Sequence, residues 1–230
     1  DVYFNKNVDI KDPDYRLTSD TLKYNLNTDF TTFYGNTTIY NQDSRIECDN
    51  GWFDTKQDVA SFGLNTTIYN GQQVLNSDSL YYDRKSKFGK AMNRFVWIDS
   101  SMAFELHGRR GDYYEVGKRI YAFDNAFAIY KMDNDSLFLR GDTLFSKEHS
   151  EIDTSKDFSA FHHVRFYMRN MQGVCDSFFY STADSLFRFY YNPVLWAEST
   201  KMTGDSIHLR IKNKKGIGCG IEKRIAHPLH

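Results

Sequence analysis

The sequence predicts an all-β fold made of repeated pairs of antiparallel strands. Three observations predict it: a four-residue motif that recurs about every 30 residues, an alternation of apolar and polar residues around each copy, and short polar turns between these segments. A fixed period in this range is typical of stacked structural units. Each unit is too small to bury its apolar face alone, so it buries that face against its neighbours. We therefore expect the function to reside in one long shared face.

The recurring motif consists of a small residue, an aspartate, a spacer and usually an apolar residue. Successive aspartates are 29, 29, 34, 30, 34 and 29 residues apart. The seven aspartates are Asp20, Asp49, Asp78, Asp112, Asp142, Asp176 and Asp205. Catalytic carboxylates work as pairs whose environments push their pKa values apart, and a uniform row has no such asymmetry. We predict that these aspartates stabilise strands and that the protein is not an enzyme.

Each aspartate lies in the first strand of a repeat. The segments 16–24 and 74–82 alternate apolar and polar residues, which indicates a strand with one buried face. A polar turn such as 83–87 follows, and then a second strand; the segments 35–41 and 64–70 are nearly identical copies of it. Two strands in every repeat of about 30 residues give about 15 to 16 strands. Turns this short favour antiparallel neighbours.

The alternation also predicts which side chains share the buried face. We expect an apolar groove lined by the second and fourth residues after each aspartate and by the apolar positions of the second strands. The predicted groove residues are Leu22, Tyr24, Ile39, Phe53, Ile68, Leu80, Tyr82, Val96, Ile98, Tyr114, Phe127, Ile129, Leu144, Val164 and Phe178.

Bulk composition narrows the class of protein. The formal net charge is −1, from 29 basic and 30 acidic residues, whereas a nucleic-acid binder shows a basic excess. With 40% hydrophobic and 17% aromatic residues, the chain is too apolar for disorder. No stretch approaches the roughly 18 uninterrupted apolar residues of a membrane span. Cys48 and Cys175 occupy the small-residue position of the motif, so we expect them to be buried and unpaired.

Other signatures of chemistry are missing from the sequence. It contains no G-x-x-x-x-G-K-[ST] phosphate loop, no H-E-x-x-H motif and no G-x-S-x-G elbow. His162 and His163 are adjacent, and adjacent strand residues point to opposite faces, so we do not expect them to chelate a metal together. The sequence thus predicts no cofactor and no metal.

The repeat also predicts the domain organisation. Residues 1–211 are expected to form a single array, and residues 212–230 a tail outside it, marked by Gly216, Gly218 and Gly220. The first residues match the second half of a repeat, so we expect a fragment or a processed form.

The repeat resembles the OstA-like family. This family includes the periplasmic lipopolysaccharide-transport bridge protein LptA and the N-terminal domain of the outer-membrane translocon LptD. Its pattern is a strand reading roughly small-Asp-x-Leu-x-Tyr-Asp, a turn, and then Gly-Asn-Val-x-Ile-x-Asp. The segment 76–83 is similar to the first part, and 35–41 is similar to the second with Thr37 in place of valine. The resemblance extends from residue 3 to about residue 211.

The resemblance implies a β-jellyroll: a twisted, V-shaped half-barrel of antiparallel strand pairs with an apolar groove. It further implies that the groove holds the lipid A acyl chains of lipopolysaccharide. The partners it implies are other Lpt-type jellyrolls, or a second copy of the chain, stacked edge to edge. The expected location is the periplasm of a Gram-negative cell, as a bridge or as part of an outer-membrane translocon.

A second hypothesis is a β-helical surface protein, either an adhesin or a polysaccharide-processing protein. A right-handed β-helix pairs its strands in parallel and usually uses three strands in each coil. The two-strand repeat and short turns of this chain favour the lipid-binding module.

Overall fold

The structure is a computed structural model that describes residues 1–13, 15–132, 135–149 and 155–210. Within these residues it contains eighteen β-strands and no α-helix. The strands are β1 (Val2–Lys11), β2 (Arg16–Asn25), β3 (Phe30–Tyr40), β4 (Ser44–Asp54), β5 (Val59–Asn70), β6 (Gln73–Asp83), β7 (Phe88–Asp99), β8 (Phe104–Tyr114), β9 (Arg119–Phe123), β10 (Phe127–Lys131), β11 (Ser136–Arg140), β12 (Thr143–Glu148), β13 (Lys156–Met168), β14 (Met171–Ser181), β15 (Leu186–Tyr190), β16 (Val194–Ala197), β17 (Thr200–Thr203) and β18 (Ser206–Arg210). The all-β prediction is confirmed.

The strands belong to two compact units. Unit 1 comprises Asp1–Ser101 and Arg109–Glu115, and unit 2 comprises Met102–Gly108 and the described residues from Val116 onward. The prediction of one array over residues 1–211 stays a prediction, and the predicted tail 212–230 lies outside the described residues.

Unit 1 is a meander in which each strand from β1 to β7 pairs with the next in antiparallel register. The turns are built by side chains that accept backbone N–H groups. Asp83 binds the N–H groups of Lys85 and Ser86, and Asn25 binds those of Asn27 and Thr28. Such Asx turns are why aspartate and asparagine end these strands. Antiparallel pairing confirms the repeated strand pairs and is incompatible with a parallel β-helix.

A corner interrupts the middle of every strand in this meander. Each pairing has a register shift there, for example between Ser19 and Thr21 in β2. At the same position along the sheet, the neighbouring strands contain residues with a left-handed backbone conformation (positive φ), namely Gly35, Leu64 and Asn93. One extra residue in a strand reverses which residues point to a given face. Both halves of a bent strand therefore turn apolar side chains to the same interior.

The corner divides unit 1 into two half-sheets, which we call leaf A and leaf B. In β2, β4 and β6, leaf A holds the residues before the repeat aspartate and leaf B those after it. Leu17 and Ser19 of β2 are buried in leaf A, whereas Leu22, three residues beyond Ser19, is buried in leaf B. Ser19 and Leu22 are three residues apart, so a regular strand would point them to opposite faces. Both are buried because the corner reverses the direction of the side chains that follow it.

In unit 2 the corner separates many strands completely. β9 and β10, β11 and β12, β15 and β16, and β17 and β18 are each one repeat strand broken into two short strands. This explains why the described residues contain more strands than the 15 to 16 predicted. Counting each broken pair once leaves fourteen, two for every repeat aspartate.

Unit 2 also consists of two half-sheets, leaf C and leaf D, which share β13 and β14. Leaf C contains the first half of β8 with β10, β11, β16 and β17. Leaf D contains β9, β12, β15 and β18. All these pairings are antiparallel.

Glycines let aromatic rings lie flat across the inner faces. A Cβ atom at Gly51 would overlap the ring of Phe33, its cross-strand partner. Gly111 lies in the same way under Phe95, and Gly173 under Phe166. In each case the phenylalanine ring occupies the space that a side chain at the glycine position would need. Cys48 and Cys175 are buried and free, as predicted.

We predict that Gly51→Ala lowers the free energy of unfolding by about 1–3 kcal/mol, because the added methyl group must displace the Phe33 ring or the backbone at Ser61. Gly89→Ala is the matched control on the same inner face, since its Cβ would meet Tyr82 at an ordinary 3.5 Å. Chemical denaturation of both variants measures the difference. Equal stability of the two variants would contradict the close approach of Phe33 to Gly51.

Candidate functional site

The inner face of unit 1 consists of cross-strand rows of side chains. Near the corner, one row in leaf A runs through Ser19, Thr37 and Cys48, and one row in leaf B runs through Leu22, Phe33 and Gly51. One step farther from the corner, each leaf has a second row, which we call its far row. The far row of leaf A is Leu17, Ile39, Ile46, Ile68, Leu75 and Trp97, and that of leaf B is Tyr24, Thr31, Phe53, Ala60, Tyr82 and Gly89.

Burial falls with distance from the corner. The rows beside the corner are buried throughout; Leu22 and Phe33, for example, are each 1% exposed. In the far rows, four of six residues in each leaf are only half-buried, among them Ile39, Ile68 and Phe53. Fully packed leaves would bury these side chains against each other. The far rows are therefore the less tightly packed part of the inner face, and we call the space that they border the groove.

Tyrosine hydroxyl groups mark the border of this groove with water. Tyr24 Oη donates to Asp29 Oδ1 at 2.8 Å, and Tyr82 Oη donates to Glu115 Oε2 at 2.7 Å. Burial, and then the Glu115 carboxylate, raise the pKa of Tyr82. Each ring thus offers its apolar body to the groove and its polar tip to the rim. Neither far row contains a charged side chain, so the groove presents apolar walls below a polar rim.

The same positions in unit 2 form a closed core. The far row of leaf D, from Ile120 through Phe158 to Leu209, is buried throughout. Phenylalanines fill the space between the leaves: Phe104 meets Phe158 with ring centres 4.7 Å apart, and Phe166 meets Phe189 at 4.8 Å. A narrow apolar cavity remains between the far rows; it is lined by Met102, Phe104, Tyr130, Leu137, Ser146, Phe158, Tyr180 and Phe187, among others.

The structure brings seven of the predicted groove residues together in unit 1. These are Leu22 and Leu80 beside the corner, and Tyr24, Ile39, Phe53, Ile68 and Tyr82 in the far rows. Three more, Leu144, Val164 and Phe178, lie in the closed core of unit 2 with at most 1% exposure. Any contact of these three with a ligand would require the leaves of unit 2 to separate.

Five predicted residues point away from the inner faces, so the register predicted for them was wrong. In β7, Phe95 and Trp97 are inward, and Val96 and Ile98 lie on the opposite face. In β10, Ala128 is inward, and Phe127 and Ile129 are outward. The ring of Tyr114 packs on Phe88, which neighbours the inward Gly89. Both faces of β7 and β10 carry apolar residues, and alternation cannot choose between two apolar faces.

Several groove residues were missed by the sequence reasoning. Leu17, Ile46 and Leu75 each stand three residues before a repeat aspartate and form half of the far row of leaf A. Their signal was present, because the apolar residue recurs there at the repeat spacing. Trp97 was missed because it is the register equivalent of Ile39 and Ile68, whereas the apparent sequence match was Ile98.

Asp20, Asp49 and Asp78 lie at the corners, outside the groove, whereas Asp112 lies beyond the corner of its strand, within the second half of β8. Asp20 accepts the N–H of Asn36 at 3.0 Å, Asp49 accepts Asn65 Nδ2 at 2.7 Å, and Asp78 pairs with Arg94 Nε at 3.1 Å. The partner in each case stands sixteen residues later, on the next strand, beside the left-handed corner. These carboxylates therefore join neighbouring strands where the backbone ladder is interrupted, as expected for a stabilising role.

The two adjacent histidines belong to the same corner pattern. His162 and His163 both adopt left-handed backbone conformations. His162 Nδ1 is 3.2 Å from Asp176 Oδ1, and His163 Nδ1 is 2.8 Å from Asp142 Oδ2. His162 lowers the pKa of Asp176 through this hydrogen bond. Each histidine thus serves a different aspartate, and the described part of the chain contains no cluster of three or more potential metal ligands.

No protein-family model and no curated protein matches the sequence. The chain is similar in part to the crystal structure of LptH, the LptA homologous periplasmic component of the conserved lipopolysaccharide transport device from Pseudomonas aeruginosa. The two chains are 13% identical over 60% of this chain and 76% of LptH, with a TM-score of 0.29. Among the described residues, no helix has the length and apolarity needed to cross a membrane.

The contacts of Glu115 at the rim of the groove predict that the protein loses stability at acid pH. Lys87 Nζ binds Glu115 Oε1 at 2.8 Å and, together with the Tyr82 hydrogen bond, lowers the pKa of Glu115 from its ordinary 4.5. A carboxyl group with a lowered pKa stabilises the fold above its ordinary pKa, and this contribution is lost as the pH falls through the folded-state value. We expect Glu115→Gln to flatten the loss of melting temperature on acidification below pH 4.5.

Glu198→Gln removes the same charge from an exposed turn and serves as the control. The measurement is the melting temperature of the parent and both variants across an acid pH series. Curves for Glu115→Gln and the parent that stay parallel below pH 4.5 would contradict the role of this carboxylate.

The corner contacts predict a small effect for Asp78→Asn. The Asp78 and Arg94 side chains are each about half exposed, and exposed ion pairs contribute at most about 1 kcal/mol. We expect a loss of stability below that limit, measured by denaturation, with ligand binding in the groove retained. A well-folded Asp78→Asn protein that had lost a hydrolytic activity of the parent would contradict the stabilising role.

Proposed function

We propose that unit 1 binds the lipid A acyl chains of lipopolysaccharide in its groove and forms part of a periplasmic bridge that carries this lipid toward the outer membrane. The observation that carries the proposal is the pair of half-buried apolar far rows below a polar rim. An amphiphile needs this arrangement, because its hydrocarbon must leave water while its headgroup stays hydrated.

The magnitude of the hydrophobic effect agrees with this role. Burial contributes about 0.8 kcal/mol for each CH₂ group, so a chain of about 14 carbons requires shielding worth roughly 10 kcal/mol. Isoleucine, leucine and aromatic walls supply such shielding without directional contacts. A ligand held in this way can slide along the groove, because no single polar interaction has to break.

The choice of lipopolysaccharide comes from the resemblance of the repeat to the OstA-like family. That resemblance also supports the periplasmic location and partnership with other Lpt-type jellyrolls. Among the described strands of unit 1, β1 pairs with β2 alone. A strand edge with free backbone groups is a template for strand addition by a second chain. Attachment to an outer-membrane translocon is a variant of the same proposal.

In the conformation described here, the lipid path runs through unit 1 and not through unit 2. The closed core of unit 2 already fills the equivalent space with its own phenylalanines. Acyl chains could enter there only by displacing well-packed rings such as Phe158 and Phe178, each 6% or less exposed. Leu144, Val164 and Phe178 therefore have a structural role in this state, and the groove residues of unit 1 bind the lipid.

Two isoleucines on opposite faces of leaf A provide the test. Ile68 lies in the far row, and Ile98 lies on the outer face. A photo-crosslinking amino acid at position 68 should capture lipopolysaccharide from labelled periplasm, and the same residue at position 98 should not. Ile68→Asp should abolish co-purification of the lipid, because an unpaired carboxylate in the groove is costly, whereas Ile98→Asp should preserve it.

Circular dichroism confirms that both aspartate variants are folded. Equal crosslinking at positions 68 and 98 would indicate nonspecific adsorption, and lipid retained by folded Ile68→Asp would place the binding site outside the groove. Either result contradicts the proposal.

A further inference from the structure

The outer face of leaf C carries two rows of aromatic and basic side chains. One row is His107, Phe127, Arg140, Arg165, Val174, Val194 and Thr203, and the next is Glu105, Ile129, Phe138, Tyr167, Gln172, Trp196 and Lys201. We call this the aromatic–basic face. Tyr167 is 55% exposed, Phe138 47% and Trp196 38%. Large aromatic side chains on neighbouring strands are unusual on a surface exposed to water.

The central feature of this face is a pair of arginines. Arg140 and Arg165 lie directly opposite each other on β11 and β13. Like charges in this position destabilise a sheet. Arg140 donates a hydrogen bond to Asn125 Oδ1 at 3.2 Å, and within the described part of the chain neither arginine is in an ion pair. Their juxtaposition thus has a cost in stability that an external anion would relieve.

The remaining charges on the face are consistent with an anionic partner. The two rows contain a single carboxylate, Glu105, which already binds Lys131 Nζ and lies 3.1 Å from His107 Nε2. The His107 ring in turn stacks on Phe127 with ring centres 4.3 Å apart. Lys201 adds a further positive charge beside Trp196. The surface therefore combines exposed aromatic rings with an excess of positive charge.

We propose that the aromatic–basic face is a docking surface for an anionic lipid bilayer. Tryptophan, tyrosine and phenylalanine partition into the interface between headgroups and acyl chains, and arginine and lysine bind anionic headgroups. Phe138, Tyr167 and Trp196 enter the interface from one row, and Arg140 and Arg165 contact phosphate groups from the next. The inference does not depend on what the groove of unit 1 holds.

Co-sedimentation with vesicles tests this surface in the 230-residue chain. We expect binding to vesicles of equal parts phosphatidylglycerol and phosphatidylcholine, and little binding to phosphatidylcholine alone. Arg140→Gln and Arg165→Gln should each weaken binding about five-fold, since each cation near an anionic surface contributes about that factor. The same substitutions should leave the melting temperature unchanged or raise it, because they relieve the repulsion between the arginines.

A matched control removes one aromatic side chain and one cation from the outer face of unit 1. Tyr81 and Lys90 are cross-strand neighbours there, and Tyr81→Ser/Lys90→Gln should leave binding unchanged. Tyr167→Ser/Arg165→Gln, which makes the same changes on the aromatic–basic face, should weaken binding at least ten-fold. Equal losses for these two double variants would overturn the proposal.

Tryptophan fluorescence gives a second readout on the parent protein. The sequence has three tryptophans, and Trp196 is the one on this face. Anionic vesicles should shift its emission to the blue, and Trp196→Phe should remove the shift while retaining sedimentation within about two-fold. No shift in the parent, equal binding to both kinds of vesicle, or self-association in sedimentation velocity that involves these residues would overturn the assignment.

Discussion

The corner in the middle of each repeat strand is the constraint on which the rest of the structure depends. A left-handed residue and a register shift at this level reverse the parity of the strand, so that two half-sheets face one interior. Without the reversal, the apolar residues before and after each aspartate would point to opposite faces of one flat sheet. The inner rows, the groove and the closed core all follow from this single irregularity.

The corner also explains why aspartate recurs at the repeat spacing. The extra residue interrupts the backbone hydrogen bonds between neighbouring strands, and buried or partly buried backbone groups require other partners. Asp20 satisfies the N–H of Asn36, and Asp142 and Asp176 bind His163 and His162. The amide, guanidinium and imidazole partners differ in chemistry, but they occupy equivalent places. A carboxylate at a corner can use any of them, which is why the aspartate is more regular than its partner.

The two units share the same arrangement of strands but differ in the side chains that occupy their interiors. The far rows of unit 1 combine isoleucine, leucine and four aromatic residues with the smaller Thr31, Ala60 and Gly89, whereas the far rows of unit 2 include Phe104, Phe158 and Phe187. Six phenylalanines, including Phe104, Phe158 and Phe178, close the interior of unit 2, while the far rows of unit 1 stay half-buried. Side-chain volume thus determines whether a pair of leaves forms a core or a groove.

The sequence by itself determined the all-β class and the antiparallel strand pairs, because both depend on local alternation and on short turns. It also identified Tyr24, Ile39, Phe53, Ile68 and Tyr82 correctly as inward residues. Around Tyr24 and Ile68 the outward neighbours are Lys23, Asn25, Thr67 and Tyr69, which all carry a polar group, so alternation had one solution there.

Only the tertiary structure decided the orientation of Val96, Ile98, Tyr114, Phe127 and Ile129. Their strands carry apolar residues on both faces, and the corner shifts the register by one residue, which a sequence pattern does not display. The repeat pattern also did not predict that the far rows are half-buried in unit 1 and buried in unit 2. It depends on how side chains from two leaves, distant in sequence, fill a shared volume, and that volume exists only once both leaves have formed.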